Sequence, residues 1–340
     1  MEYPEIIKEI TDKLTGEKEE DLKYLSGQAD KYRDHEYGFE ILRAIGRIII
    51  INTLLPDEEM SKLANVFKNE ALHIDVILNE ARKKLEEHNL EEAERMILRI
   101  LPDENLYAPD KVSEYYDFRN FLERAFYVAK YKPSKEIRQV PISYNEVFML
   151  YAYLLVEKED YENAIRIIDL GIKRNPLHID LLFEKASIYR GLKKYDQSFQ
   201  ISLDCFDKAY RRVNIARCYR DFGYYFIENK KWEAAIPCYL LSDNWVKTDM
   251  AKNELFYITQ QTQKVIDQKY FADHFEEILE KHQIPLCPNP LWIHIADYLG
   301  EKACADHQFE EAKFCYHVAY ELTGDDSYHE KILKMNDELV

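Results

Sequence analysis

Glycine is scarce in this chain of 340 residues, with nine, and proline nearly so, with eleven. A β-sandwich or a nucleotide-binding α/β fold needs more turn glycines than that. The phosphate-cradling patterns GxxxxGK[ST] and GxGxxG are missing, and so is the zinc-peptidase pattern HExxH. Six cysteines (Cys205, Cys218, Cys238, Cys287, Cys304 and Cys315) make no CxxC pair, and they read as reduced, mostly buried thiols. Cys304 and His307, with Cys315 and His317 nearby, come nearest to a metal set. Without CxxC or HxxxH spacing elsewhere, the expectation is that Cys304 packs and His307 occupies a turn. The longest apolar run, Ile48 to Leu55, ends at Pro56 and is far too short to span a bilayer. The N-terminal MEYPEIIKEITDKL is acidic and amphipathic, without the layout of a secretory signal. These absences predict a cytoplasmic protein with no membrane span, no cofactor, no metal and no catalytic centre.

What is present is apolar material (46%), charge (32%) and 26 tyrosines. The formal net charge of −17 would repel a phosphate backbone, so nucleic acid is not the expected partner. A protein or peptide is. Four segments begin with a bulky aromatic followed three residues later by a small residue: YENAIRIIDLGIKRNP from Tyr161, YDQSFQISLDCFDKAY from Tyr195, WEAAIPCYLLSDNW from Trp232 and FEEAKFCYHVAYELTG from Phe309. Each follows a helix-like run and a short polar turn.

These segments resemble tetratricopeptide repeats, 34-residue helix-turn-helix units with small residues at set positions. Units start at Asn145, Ile179, Ala216 and Ile293, and a weaker one starts near Ile74 with Ala81, Leu90, Ala93 and Ile97 in register. The resemblance implies an all-α fold, a right-handed solenoid of stacked helix pairs behind an irregular helical N-terminal region. The expected divisions are 1–69, an irregular helical region; 70–144, a degenerate pair with an aromatic-rich helix and loop; and 145–248, three clear units. They continue with 249–292, a degenerate pair and a Pro-rich loop, and 293–340, a last unit with a capping helix. Small residues Ala152, Ala186, Gly223 and Gly300 should face Ala164, Ser198, Ala235 and Ala312, with Tyr161 and Trp232 filling the wedge toward the next unit. Emptying the Trp232 site should then cost about 3–5 kcal/mol. Pro237 should bend its helix. Upstream, Glu19–Arg33 and Phe39–Leu55 read as helices, the latter buried. Val112–Tyr131 reads as one aromatic-rich helix and Lys132–Ile142 as a loop.

In the family that these repeats resemble, the first helix of each unit lines the concave face through its second, fifth, ninth and twelfth positions. Carried over, these are Glu146, Met149, Tyr153 and Val156, then Asp180, Phe183, Ser187 and Arg190. Arg217, Arg220, Tyr224 and Ile227 follow, and His294, Asp297, Glu301 and Cys304 complete the set. Aromatic and Arg side chains in such a row suit capture of an extended or helical peptide. Met149 and Tyr153 stand where a carboxylate clamp for chaperone tails would want Lys and Asn, so that use is not expected. The alternatives to an open groove are packing beneath the Val112–Tyr131 segment and self-association. The function expected is a non-catalytic scaffold or adaptor. The alternative is a peptide-sensing regulator whose N-terminal region is the effector module.

Overall fold

The computed structural model describes residues 2–49 and 57–338, with side chains described outside 57–67 and 337–338. Residues 50–55 of the long apolar run lie outside the described residues. The chain divides into two compact units. The first comprises Met1–Asp117 with Pro133–Leu154, and the second Phe118–Lys132 with Leu155–Val340.

In the first unit, α1 (Tyr3–Thr11) opens with a capping box between Glu2 and Glu5 and has Pro4 in its first turn. It packs with α2 (Lys18–Lys31) and α3 (Gly38–Ile48) around Ile6, Ile10, Leu25, Ile41 and Ile45. The expectation of a wholly buried helix from Phe39 is corrected, because Phe39 is 63% exposed and only one face of α3 is covered. The expected degenerate pair forms from α4 (Asp57–Glu86) and α5 (Leu90–Leu98). It buries Ile74, Ala81, Ala93 and Ile97 against Val147, Leu150 and Leu154 of α7 (Asn145–Glu157).

Val112–Tyr131 is not one helix. Ser113–Tyr116 is a strand, β1, paired in parallel with β2 (Glu136–Gln139) inside the segment expected to be a loop. Consecutive Tyr115 and Tyr116 favour an extended backbone. Asn120 then starts α6 (Phe121–Tyr131) by accepting the Glu123 N–H at 3.0 Å. Lys132, at φ 46°, ends it. α6 belongs to the second unit although β1 and β2 belong to the first.

The second unit is an all-α solenoid of stacked helix-turn-helix pairs. α8 (Tyr161–Arg174) leads into α9 (Ile179–Gly191) and α10 (Tyr195–Lys208), then α11 (Arg212–Glu228) and α12 (Trp232–Trp245). α13 (Asp249–Thr262) and α14 (Gln268–Lys281) are helices as expected, but they do not pack on each other as a pair; each packs on α12 instead. α15 (Pro290–Ala305) and α16 (Phe309–Thr323) follow, and α17 (Asp326–Glu338) packs on α16. Pro290 is in the first turn of α15 rather than in the preceding loop, as suits a residue with no N–H to lose there.

One turn recurs. His88, Glu159, Lys193, Lys230 and His307 are left-handed, with φ between 56° and 59°, each two residues before the second helix of a pair. The N–H of the next residue (Asn89, Asp160, Lys194, Lys231 or Gln308) donates to the carbonyl five residues back, at 2.8 Å in every case. That bond is the Schellman closure of the first helix, and it repeats in both units.

Within pairs, Ser198 Oγ donates to the Ala186 carbonyl at 2.9 Å, so those two small residues do face each other. At the glycines the nearest neighbour is an aromatic ring of the facing helix. A Cβ on Gly223 would lie 2.6 Å from the ring of Tyr239, and one on Gly300 2.6 Å from Tyr316. Trp232 and Tyr161 are only half-buried, so the expected 3–5 kcal/mol for Trp232 is corrected downward; the fully buried ring of the α11–α12 pair is Tyr239. α12 runs unbroken through Pro237.

Gly223→Ala should therefore destabilise the protein by about 1–3 kcal/mol through overpacking, despite a helix-propensity gain of up to about 1 kcal/mol. Gly27, on the exposed face of α2 with no neighbour within 4 Å, should show the opposite sign: Gly27→Ala stabilises by up to about 1 kcal/mol. Paired thermal and urea melts check both signs.

Candidate functional site

The positions expected from the repeats that come near one another are on α9 and α11, and their placement starts with a buried acid. Glu123, on α6, has no exposed surface. Its carboxylate accepts from Arg119 Nε at 2.7 Å, the Arg119 backbone N–H at 2.9 Å, and Asn175 Nδ2 and the Tyr210 hydroxyl at 3.4 Å each. A buried carboxylate is tolerated only when paired and hydrogen-bonded in this way. The other end of the Arg119 guanidinium donates to Asp180 at 3.1 Å, so this wall position is held by the segment leading into α6. His178 caps α9, its Nδ1 accepting the Leu181 N–H at 3.4 Å. Burial, followed by the nearby Arg119 charge, lowers the His178 pKa to about 4.

Along the wall, Phe183 is 1% exposed and forms part of the core rather than an accessible contact. The Arg217 guanidinium lies over its ring, 4.1 Å from the centroid. Ser187 Oγ donates to the Phe183 carbonyl at 2.9 Å and accepts from Arg190 at 3.1 Å. Arg190 also donates to Asp221 Oδ1 at 2.8 Å and lies 5.2 Å from the centroid of the Tyr224 ring. Asp221 Oδ2 is buried without a hydrogen-bond partner. Arg220 donates to Ser242 Oγ at 3.0 Å. Burial depresses the Arg220 pKa, with the Arg217 charge adding to that against the opposing pull of Asp221. Arg217 and Arg220 are half-buried, and neither has an ion-pair partner among the described residues. Burial, with Glu228 beside it, pushes the Tyr224 hydroxyl up to about 12.

The remaining expected positions do not join this group. Asp297 and Glu301 both accept from Lys331 of α17, at 3.4 and 2.5 Å. Met149 (half-buried) and Tyr153 (46% exposed) lie in the first unit, and Val156 is half-buried at the start of the second. The residues that the concave-face positions did not point to are Asp221, which holds Arg190, and Ser242, a repeat position for packing that holds Arg220.

Burial pushes the thiols of Cys205, Cys218 and Cys238 well above their usual range and that of Cys315 up to about 12, which makes them poor nucleophiles. His307 occupies the turn before α16. Among the described residues no group of three or more His, Cys, Asp or Glu could hold a metal ion, and no helix is long and apolar enough to cross a membrane.

His178 makes the second unit pH-sensitive with a defined sign. Its folded-state pKa lies below the ordinary 6.5, so its contribution is complete above pH 6.5 and is lost as the pH falls toward 4. The two-and-a-half-unit gap corresponds to roughly 3 kcal/mol. His178→Asn retains a capping acceptor without the titration. Its stability should therefore fall less than that of the wild type between pH 7 and pH 4.5; parallel curves from urea unfolding at each pH would refute this.

No known family model matches the chain, and no curated protein matches it. Among solved structures it is similar to the crystal structure of the APC/C hetero-tetramer Cut9-Hcn1, at 13% sequence identity, with a TM-score of 0.32. That match covers 89% of this chain and 54% of the other, so the chain spans about half the length of its neighbour. A likeness at this score carries no argument about function.

Proposed function

We propose that the protein is a non-catalytic interaction scaffold that binds an acidic peptide segment or protein surface along the α9–α11 wall. The observation that carries this reading is the pair Arg217 and Arg220. In a chain of net charge −17, two half-buried guanidinium groups one helical turn apart lack carboxylate partners among the described residues. Each is oriented by a neutral neighbour, the Phe183 ring or the Ser242 hydroxyl, which leaves donors for a ligand. An Arg held this way loses little entropy on binding and suits the two oxygens of a carboxylate. Tyr224 and Arg190 extend the same face. The partner is protein rather than nucleic acid, since the overall charge opposes a phosphate backbone. A cytoplasmic setting agrees with the free cysteines.

A second reading has one observation in its favour. The division into two compact units suits a regulator in which the N-terminal helices are an effector module and peptide binding to the repeats is the input. Small-angle scattering with and without a bound peptide separates the readings, because only a regulator changes its scattering profile.

Selection of a displayed random-peptide library on the wild type should enrich Asp- and Glu-bearing sequences. The Arg217→Glu/Arg220→Glu variant should bind the selected peptides at least tenfold more weakly by fluorescence anisotropy, at a temperature where circular dichroism shows it folded. Enrichment without acidic residues, or binding indifferent to the charge reversal, would overturn the proposal.

A further inference from the structure

The second unit holds a cleft of about 800 Å³ where the start of α12 meets the end of α13 and both ends of α14. That volume is ample for a small molecule. Its floor is apolar: Ile236 from α12, Ile258 from α13 and Phe271 from α14. Trp232 supplies an aromatic wall and is half-buried, so part of its surface faces solvent. The connection after α13 forms the rim, where Val265 is 92% exposed, unusual for a β-branched apolar side chain unless something covers it.

The rim is also basic. Lys230, Lys231 and Lys264 line it, and their ammonium groups have no carboxylate partner among the described residues. Glu233 is the single acidic side chain of the lining. His282 closes the far side, where burial and then the charges of Lys231 and Lys281 hold its pKa below the ordinary value. A local positive field over an apolar floor is out of keeping with a chain of net charge −17.

We infer that this cleft binds a small amphipathic anion: a carboxylate, phosphate or sulfonate head held by the three lysines, carried on a flat apolar body that rests against Trp232, Ile258 and Phe271. The inference does not depend on the α9–α11 wall. The lysines are solvent-facing and contribute attraction without a large desolvation cost, while the floor supplies burial of the body.

The probe is 1-anilinonaphthalene-8-sulfonate, which has this chemistry, with neutral N-phenyl-1-naphthylamine as its uncharged counterpart. The sulfonate should bind at one site per chain, accept energy from Trp232, and outbind the neutral probe at least tenfold at low salt. Lys231→Glu/Lys264→Glu should weaken it at least tenfold, whereas Lys18→Glu/Lys23→Glu, with the same change in net charge on the first unit, should not. Trp232→Phe should remove most of the energy transfer. Circular dichroism melts verify that each variant is folded. Sedimentation with phosphatidic acid vesicles then distinguishes the source: lysine-dependent co-sedimentation assigns the head to a lipid, and its absence beside sulfonate binding assigns it to a soluble anion. Equal binding of both probes, several weak sites, or indifference to the lysine pair would each overturn the inference.

Discussion

A buried tyrosine ring seated on a glycine of the facing helix sets the spacing on which the second unit depends. Tyr239 meets Gly223 and Tyr316 meets Gly300 in the same geometry, in repeats that start 77 residues apart. No other residue leaves room for the ring, so each pair closes at a distance that only glycine allows. Because the pair is locked there, the adjoining face of the first helix is fixed too. On α11 that face carries Arg217, Arg220 and Tyr224. The left-handed turn with its five-residue-back hydrogen bond then starts each second helix at a constant offset. Five non-glycine residues accept this conformation, which costs each of them of the order of 1 kcal/mol. Tertiary packing overrides that local preference.

The insertion carrying α6 is secured by different means. Glu123 brings a charge into the interior, and four donors from Arg119, Asn175 and Tyr210 surround it. Such a set contributes more to specificity of position than to net stability. It is supported by stacked rings, Phe126 on Trp292 with centroids 3.7 Å apart. Burial first, and then the Arg119 charge of this network, keep neutral the His178 imidazole that caps α9. A charge placed to dock one helix thereby tunes the cap of another.

Much of this was legible in the residue order. Small residues eight positions into each unit, aromatics at the second-helix starts and scarce glycine predicted the helix pairs, including the weak pair at α4–α5; α13 and α14 were legible as helices, but not that each would pack on α12 rather than on the other. Less legible was the segment 112–131, whose aromatic density satisfies helical spacing and strand alternation alike. What split it was pairing with Glu136–Gln139, twenty residues further on, and capping by Asn120. Phe183 and Trp232 exchanged expectations, because repeat position gives a direction on a helix and not the depth of what covers it. Of the wall, Arg190, Arg217, Arg220 and Tyr224 form a group, while Asp297 and Glu301 are taken up by Lys331.

Helix-pair identity and turn placement follow from period and composition, since they rest on contacts between residues near one another in the chain. Which glycine meets which ring, which arginines lack a carboxylate, and where lysines gather over an apolar cleft depend on residues brought together from separate helices. Burial and charge pairing are properties of three-dimensional neighbours, and the linear order does not contain them.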